Sequence, residues 1–120
     1  MNKHEPYLLG KSGEEVALHY IKRKKYKIIE KGFRLFRGEI DIIAYDNKTL
    51  VFIEVKTRRS RDFGLPEESV THSKQKQIRK IAQGFLSINK IQDIECRFDV
   101  ISLIKTEKNA YLFRHIKNAF

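Results

Sequence analysis

Gly38-Glu39-Ile40-Asp41-Ile42-Ile43-Ala44-Tyr45, then Asp46-Asn47, then Thr49-Leu50-Val51-Phe52-Ile53-Glu54-Val55-Lys56-Thr57, is the stretch that decides how this chain folds. In Glu39 to Tyr45, Ile40, Ile42 and Ala44 oppose Glu39, Asp41 and Ile43, the alternation of a strand. Thr49 to Thr57 is the strongest strand in the chain, nearly continuous in apolar residues until Glu54 and Lys56 interrupt it. Asp46 and Asn47 supply turn residues between them. Alternate side chains of a strand share a face, so Glu39 and Asp41 lie together on one strand, and Glu54 and Lys56 on the next. A two-residue turn at Asp46 and Asn47 pairs Tyr45 with Lys48, Asp41 with Phe52 and Glu39 with Glu54. Glu54 is then a diagonal neighbour of Asp41 on one face. A three-residue turn without a bulge would send Glu54 to the other face.

Upstream, Ser12 to Lys25 reads as a helix with Ser12 as N-cap and Val16, Ala17, Tyr20 and Ile21 as apolar positions. Tyr26 to Glu30 and Phe33 to Arg37 read as two short strand segments around Gly32. Downstream, Arg58 to Thr71 contains Gly64, Pro66 and several arginines, and its length is that of a functional loop. Ile78, Ile81, Ala82 and Phe85 then mark the buried face of a second helix, with Lys76, Lys80 and Gln83 turned outward. Ile94 to Ile104 and Ala110 to Ile116 are the last strands. The second helix serves as a crossover that lays the strand near Phe98 parallel to the strand near Phe52. The expected fold is α/β, one mixed sheet in a sandwich with helices.

The carboxylates carry the chemistry. Glu14 falls in the helical arc of Ala17, Leu18 and Ile21, whereas Glu15 points with His19 and Lys22 to solvent. A carboxylate on an apolar face is costly unless it is paired or binds a cation. Two or three carboxylates converging on one point suit Mg²⁺ or Mn²⁺, which keep open positions for water and a phosphate oxygen. Lys56, beside Glu54, is placed to stabilise charge on a phosphate or to orient an attacking water. Taken alone, Glu54 and Lys56 are equally well read as a cross-strand ion pair on a solvated sheet face.

A chain of 120 residues is the size of one domain, residues 1–120, and 41% hydrophobic content is enough for a core. Lysine and arginine total 25 against 15 acidic residues, a formal net charge of +10, which makes nucleic acid the leading candidate partner. Cys96 is the only cysteine, which excludes an intrachain disulfide framework or a thiolate zinc site and fits a reducing compartment. Met1 to Gly10 is charged at Lys3, His4 and Glu5 and lacks a signal-peptide core, and no apolar run is long enough to cross a bilayer. A cytoplasmic location without membrane association is expected.

Gly38 to Asp41, the turn, and Phe52 to Lys56 together resemble the PD-(D/E)XK nuclease signature, in which an aspartate and an E-x-K lie on adjacent strands. Gly13-Glu14 with Ala17, Arg58, Lys74, Ala82 and Arg97-Phe98-Asp99-Val100 extend the resemblance to the YraN family of bacterial proteins over nearly the whole chain. That family is similar to archaeal Holliday-junction resolvases. The resemblance implies a restriction-endonuclease-like αβββαβ core, dependence on Mg²⁺ or Mn²⁺, and duplex or branched DNA as substrate. It makes Glu14, Asp41 and Glu54 metal ligands, with Asp41, Glu54 and Lys56 catalytic. Ile40 stands where the superfamily's name has proline, a position that varies within it. By analogy, resolvases of this fold act as two-fold dimers that match a two-fold junction.

Arg58, Arg59 and Arg61 follow Lys56 and come within reach of a phosphate backbone if Lys56 is at the site. Lys74 lies one turn before Ile78, at the start of the buried stripe, and can point to the rim of the site. Lys22 to Lys25 are a basic helix end. His4, His19, His72 and His115 have no ligand spacing, and Asp99 faces away from Phe98 to support the sheet or a dimer. Three functions fit: a metal-dependent endonuclease on structured DNA, a nucleic-acid-binding protein of the same fold that does not cleave, and an interaction protein with an internal ion-pair network.

Overall fold

The computed structural model describes residues 3–4, 12–59, 70–106 and 110–120. The elements are β1 (Lys3–His4), α1 (Gly13–Arg23), β2 (Lys27–Leu35), β3 (Gly38–Asp46), β4 (Thr49–Arg59), α2 (His72–Ile88), β5 (Cys96–Lys105) and β6 (Tyr111–Ile116). The strands form one sheet in the order β1-β6-β5-β4-β3-β2, in which β4 and β5 are parallel and every other neighbouring pair is antiparallel. The expected crossover through α2 is present, and Phe52 lies beside Phe98 in the parallel ladder.

The start of α1 is set by a capping box. Ser12 Oγ accepts from the Glu15 N–H at 3.2 Å, and Glu15 Oε1 accepts from the Ser12 N–H at 3.1 Å. The helix ends at Arg23, two residues before the expected end, because Lys25 turns into the left-handed region at φ +66°. The Tyr26 N–H then bonds the Ile21 carbonyl at 3.1 Å and the Tyr26 ring enters the core.

The two short segments expected around Gly32 are one strand, β2. A register shift between Ile28 and Glu30 and a left-handed Gly32 at φ +59° absorb the irregularity within continuous pairing. The β3–β4 turn also differs from expectation. Asp46 pairs with Thr49, so the turn residues are Asn47 and Lys48. Asn47 takes φ +56°, which its short side chain tolerates, and Arg97 holds Asp46 on the ladder at 3.0 Å. The register therefore moves by two residues, to Ile42 opposite Ile53. An even shift keeps the paired side chains from Ile42 to Asp46 on their faces. At the far end, β4 runs through Arg59 instead of stopping at Thr57, because β5 continues beside it and pairs Ile104 with Arg58 and Lys105 with Arg59.

The sheet separates two cores. On one face Val16, Ala17, Tyr20 and Ile21 of α1 meet Ile42, Ala44, Val51, Ile53, Ile101 and Leu103. On the other, Ile78, Ile81, Ala82 and Phe85 of α2, the four positions that the 3.6-residue period marks, meet Ile40, Ile43, Leu50, Phe52 and Val100. Among the described residues no helix is long and apolar enough to cross a membrane.

Candidate functional site

The site begins where β3 and β4 part. Their ladder runs from Asp46/Thr49 to Ile42/Ile53, and one residue further on the Asp41 carboxylate replaces a backbone acceptor, taking the Val55 N–H at 2.8 Å to Oδ2. Ile40 packs in the α2-side core and Ile42 in the α1-side core, although strict alternation would put them on one face. The strand thus turns at Asp41, and this aims the carboxylate into the gap.

Glu54, the next residue of β4 after the ladder ends, is only 6% exposed. Burial pushes its carboxyl up, the Asp41 carboxylate and a hydrogen bond shared with it push it further, and the opposing pull of Lys74 and Lys56 leaves it at about 7. Both lysines reach the same oxygen: Lys56 Nζ stands 3.7 Å and Lys74 Nζ 3.8 Å from Glu54 Oε2. Lys56 arrives by the period-two spacing of β4. Lys74 arrives from the first turn of α2, where Thr71 Oγ1 caps the Lys74 N–H at 3.2 Å. Asp41, Glu54, Lys56 and Lys74 are thus brought together on the α2 side of the sheet.

Glu14 is near this group but is exposed, not turned into the apolar face as its helical arc suggests. The reason lies beneath it. Gly13 abuts Thr57 and Leu103, a β4–β5 pair four residues past the last β3–β4 pair, so the first turn of α1 lies beyond the point where β3 leaves β4, and Glu14 stands near Asp41 and Glu39 of β3. Partial burial, then Asp41 and Glu39, raise the Glu14 carboxyl, and Lys31 opposes them. Among the described residues no three Asp, Glu, His or Cys side chains stand close enough to hold a metal ion together, so the tight unit is the Asp41–Glu54 pair. Arg58 and Arg59 sit on consecutive positions of β4 and so face opposite sides of the sheet. Arg61 lies outside the described residues.

A second polar group has little local signature in the sequence. Asp99 is fully buried on the α1 side; it accepts from Arg97 Nε at 2.9 Å, is bonded to His115 Nε2 at 2.7 Å, and accepts from the Asn118 N–H at 3.1 Å. Tyr20 Oη is 2.9 Å from His115 Nδ1, while Arg97 also donates to Asp46 and to Tyr26 Oη. Burial pushes the Asp99 carboxyl up, yet the hydrogen bonds of His115, Arg97 and Asn118 outweigh it and hold the carboxyl below 3.8. The spacing of Arg97 and Asp99 on one strand face is the available signal; His115 has no local pattern that marks it. The group ties β5, β6, α1 and the β3–β4 turn together, supporting the sheet from the side away from Glu54.

The order αβββαβ around a mixed sheet, with helices on both faces, defines a restriction-endonuclease-like core. The chain belongs to the uncharacterised protein family UPF0102, the YraN family, whose model matches residues 13–103, from the residue before Glu14 to near the end of β5. It is 45% identical over 117 residues to a UPF0102 protein of Geobacter sulfurreducens, covering 98% of this chain and 91% of the relative. A UPF0102 protein of Geotalea uraniireducens is 46% identical over 112 residues, 93% of this chain and 88% of its own. One from Caldicellulosiruptor saccharolyticus is 45% identical over 121 aligned positions that span both chains in full.

Proposed function

We propose that this protein is a divalent-metal-dependent nuclease that hydrolyses phosphodiester bonds in structured or branched DNA in the cytoplasm. The observation that carries this reading is the Asp41–Glu54 carboxyl pair, held at a strand gap with Lys56 and Lys74 on its edge. Two adjacent carboxylates repel, and a proton or a cation relieves the repulsion. Mg²⁺ is commonly held by one or two carboxylates, with waters and substrate phosphates completing its shell, and the donor set here fits that habit. Asp41 and Glu54 would hold the ion, and Glu14 would act from the rim through solvent. When bound, the ion supplies Lewis-acid polarisation of the phosphate and a more acidic water.

The remaining steps belong to this chain's own side chains. Asp41 keeps its orientation through the Val55 N–H, so the pair is preorganised before substrate arrives. Lys56 leaves Glu54 to meet the non-bridging oxygens of the phosphate, where negative charge grows in the transition state. Lys74 neutralises the neighbouring phosphate or Glu54 itself, and Arg58, which shares the strand face of Glu54 and Lys56, holds the backbone, with Arg59 and Arg61 adding to the positive charge that draws it in. The test is incubation of linear, flapped and four-way DNAs with Mg²⁺ or Mn²⁺ beside Lys56→Ala.

A second reading, a nucleic-acid-binding protein of this fold that does not cleave, draws on a specific observation. Both lysines sit on Glu54 and no third carboxylate closes the pair among the described residues, as in a self-satisfied ion-pair cluster. Metal-independent binding without cleavage would favour it.

A further inference from the structure

The β2–β3 turn breaks a local rule that the catalytic reading does not explain. Leu35 pairs with Gly38, so Phe36 and Arg37 form a two-residue hairpin loop, both with positive φ, at +52° and +60°. Such a loop normally carries Asn-Gly or Asp-Gly, and a bulky side chain in the left-handed region is strained. Burial does not offset the strain, since Phe36 remains 50% exposed. The ring is nevertheless held in place. Lys80 Nζ stands 4.8 Å from its centroid, and a Cβ at Gly84 of α2 would lie 3.1 Å from Phe36 Cε2.

The surroundings are cationic and lead back to the site. Arg34, 84% exposed at its side chain though paired with Glu39 Oε1 at 3.4 Å, and exposed Arg37 flank a concavity of about 430 Å³ that Gly38 and Glu39 also line. Along α2, Lys74 meets Glu54, Gln77 stands against Gly38, and Lys80 covers Phe36, three side chains at i, i+3 and i+6 that form one polar row. Arg37 is four residues from Asp41 on the same hairpin, roughly 13 Å in an extended strand, or about four base steps. A half-exposed aromatic with a lysine on its ring and two arginines beside the same turn is an arrangement that stacks a base while holding the phosphates beside it.

We propose that the β2–β3 turn is a stacking platform, Phe36 against an unpaired base with Arg34, Arg37 and Lys80 on the adjoining phosphates, which selects DNA that has a single-stranded element near the cleavage point. The inference rests on the nucleic-acid reading of the site and names its substrate class. A duplex keeps its base faces stacked and cannot use Phe36, whereas a flap, a fork or a junction offers a base to it.

The experiment is fluorescence anisotropy in EDTA, so that binding is read without cleavage, with a labelled single strand of about 16 nucleotides and a blunt duplex of the same sequence. Phe36→Ala should weaken single-strand binding at least about fivefold, the value of one base–aromatic stack, and leave the duplex unchanged, with Phe36→Tyr restoring it. Phe36→Asn, suited to φ +52°, should melt at or above the wild-type temperature and still lose single-strand affinity, which separates binding from folding. Equal affinities for wild type and Phe36→Ala on the single strand, or equal losses on both probes, would overturn the platform while leaving the nuclease reading standing. No wild-type binding to the single strand would likewise overturn the platform.

Discussion

The Glu54 and Asp41 carboxyls share a hydrogen bond at the point where β3 and β4 separate. A carboxyl raised to about 7 from 4.5 keeps a proton in the fold that the unfolded chain has released. The fold is therefore favoured as pH falls through 7 toward 4.5, and this contribution is absent above the folded value, where the carboxyl is ionised in both states.

The first expectation follows from that pair. Without metal, thermal melting should rise by a few degrees, ~2–5 °C, between pH 8 and pH 5, and Glu54→Gln should remove the rise while melting higher than wild type at pH 8. Adding Mn²⁺ at pH 8 should stabilise wild type and not the variant. Calorimetry across pH, with and without Mn²⁺, checks both.

Asp99 carries the opposite sign. Its folded carboxyl lies below 3.8, so its stabilisation is complete above that value and is lost as pH falls through the folded pKa. Asp99→Asn should cost about 3 kcal/mol at pH 7, because it leaves the Arg97 guanidinium short of its main buried partner. Its acid unfolding should be shallower between pH 4 and the folded pKa. Denaturant melts across pH measure it.

Packing at the start of α1 gives a third expectation. A Cβ at Gly13 collides with Thr57 Oγ1 and lies 3.3 Å from Leu103 Cδ1. Gly13→Ala should cost about 1–3 kcal/mol, as overpacking does, and Thr57→Ala in the same chain should return most of it. Since Gly13 carries Glu14, the single variant should also weaken Mn²⁺ binding.

Salt dependence tests the basic strand end. Replacing Arg58, Arg59 and Arg61 together with Gln should reduce the slope of log K against log salt by about 1–3, one for each phosphate that is no longer neutralised. An unchanged slope would locate the backbone-binding surface elsewhere on the protein.

Much of the fold is legible from periodicity. The four apolar residues of α2 announce its buried face, and the apolar run before Glu54 announces a strand covered on both sides, which requires a crossover helix and puts Phe52 beside Phe98. The β3–β4 turn lies one residue beyond its expected place because Asp46 and Asn47 both suit turns, and only Arg97, 51 residues away, decides between them. Asp41 and Glu54 keep their common face because the shift is even. Glu14 departs from its expected burial because helical phase gives a direction but not what lies under it, and β3 has already left β4 beside the first turn of α1. His115 and Phe36 have no local signature at all: one depends on tertiary pairing with Asp99, the other on a backbone conformation that its residue type argues against.

If Lys56 acts where charge develops on a phosphate, its role is read out by cleavage of end-labelled linear, flapped and four-way DNAs by wild type and Lys56→Ala with Mg²⁺ or Mn²⁺, beside their affinities in EDTA. Wild type should cut at least one branched substrate in a metal-dependent way. Lys56→Ala should lose about 100-fold or more in cleavage, with affinity within about threefold, since one lysine among many contributes little to binding and much to the transition state. Wild type that cuts nothing under Mn²⁺ yet binds DNA without metal, or Lys56→Ala that cuts as wild type does, would contradict that role.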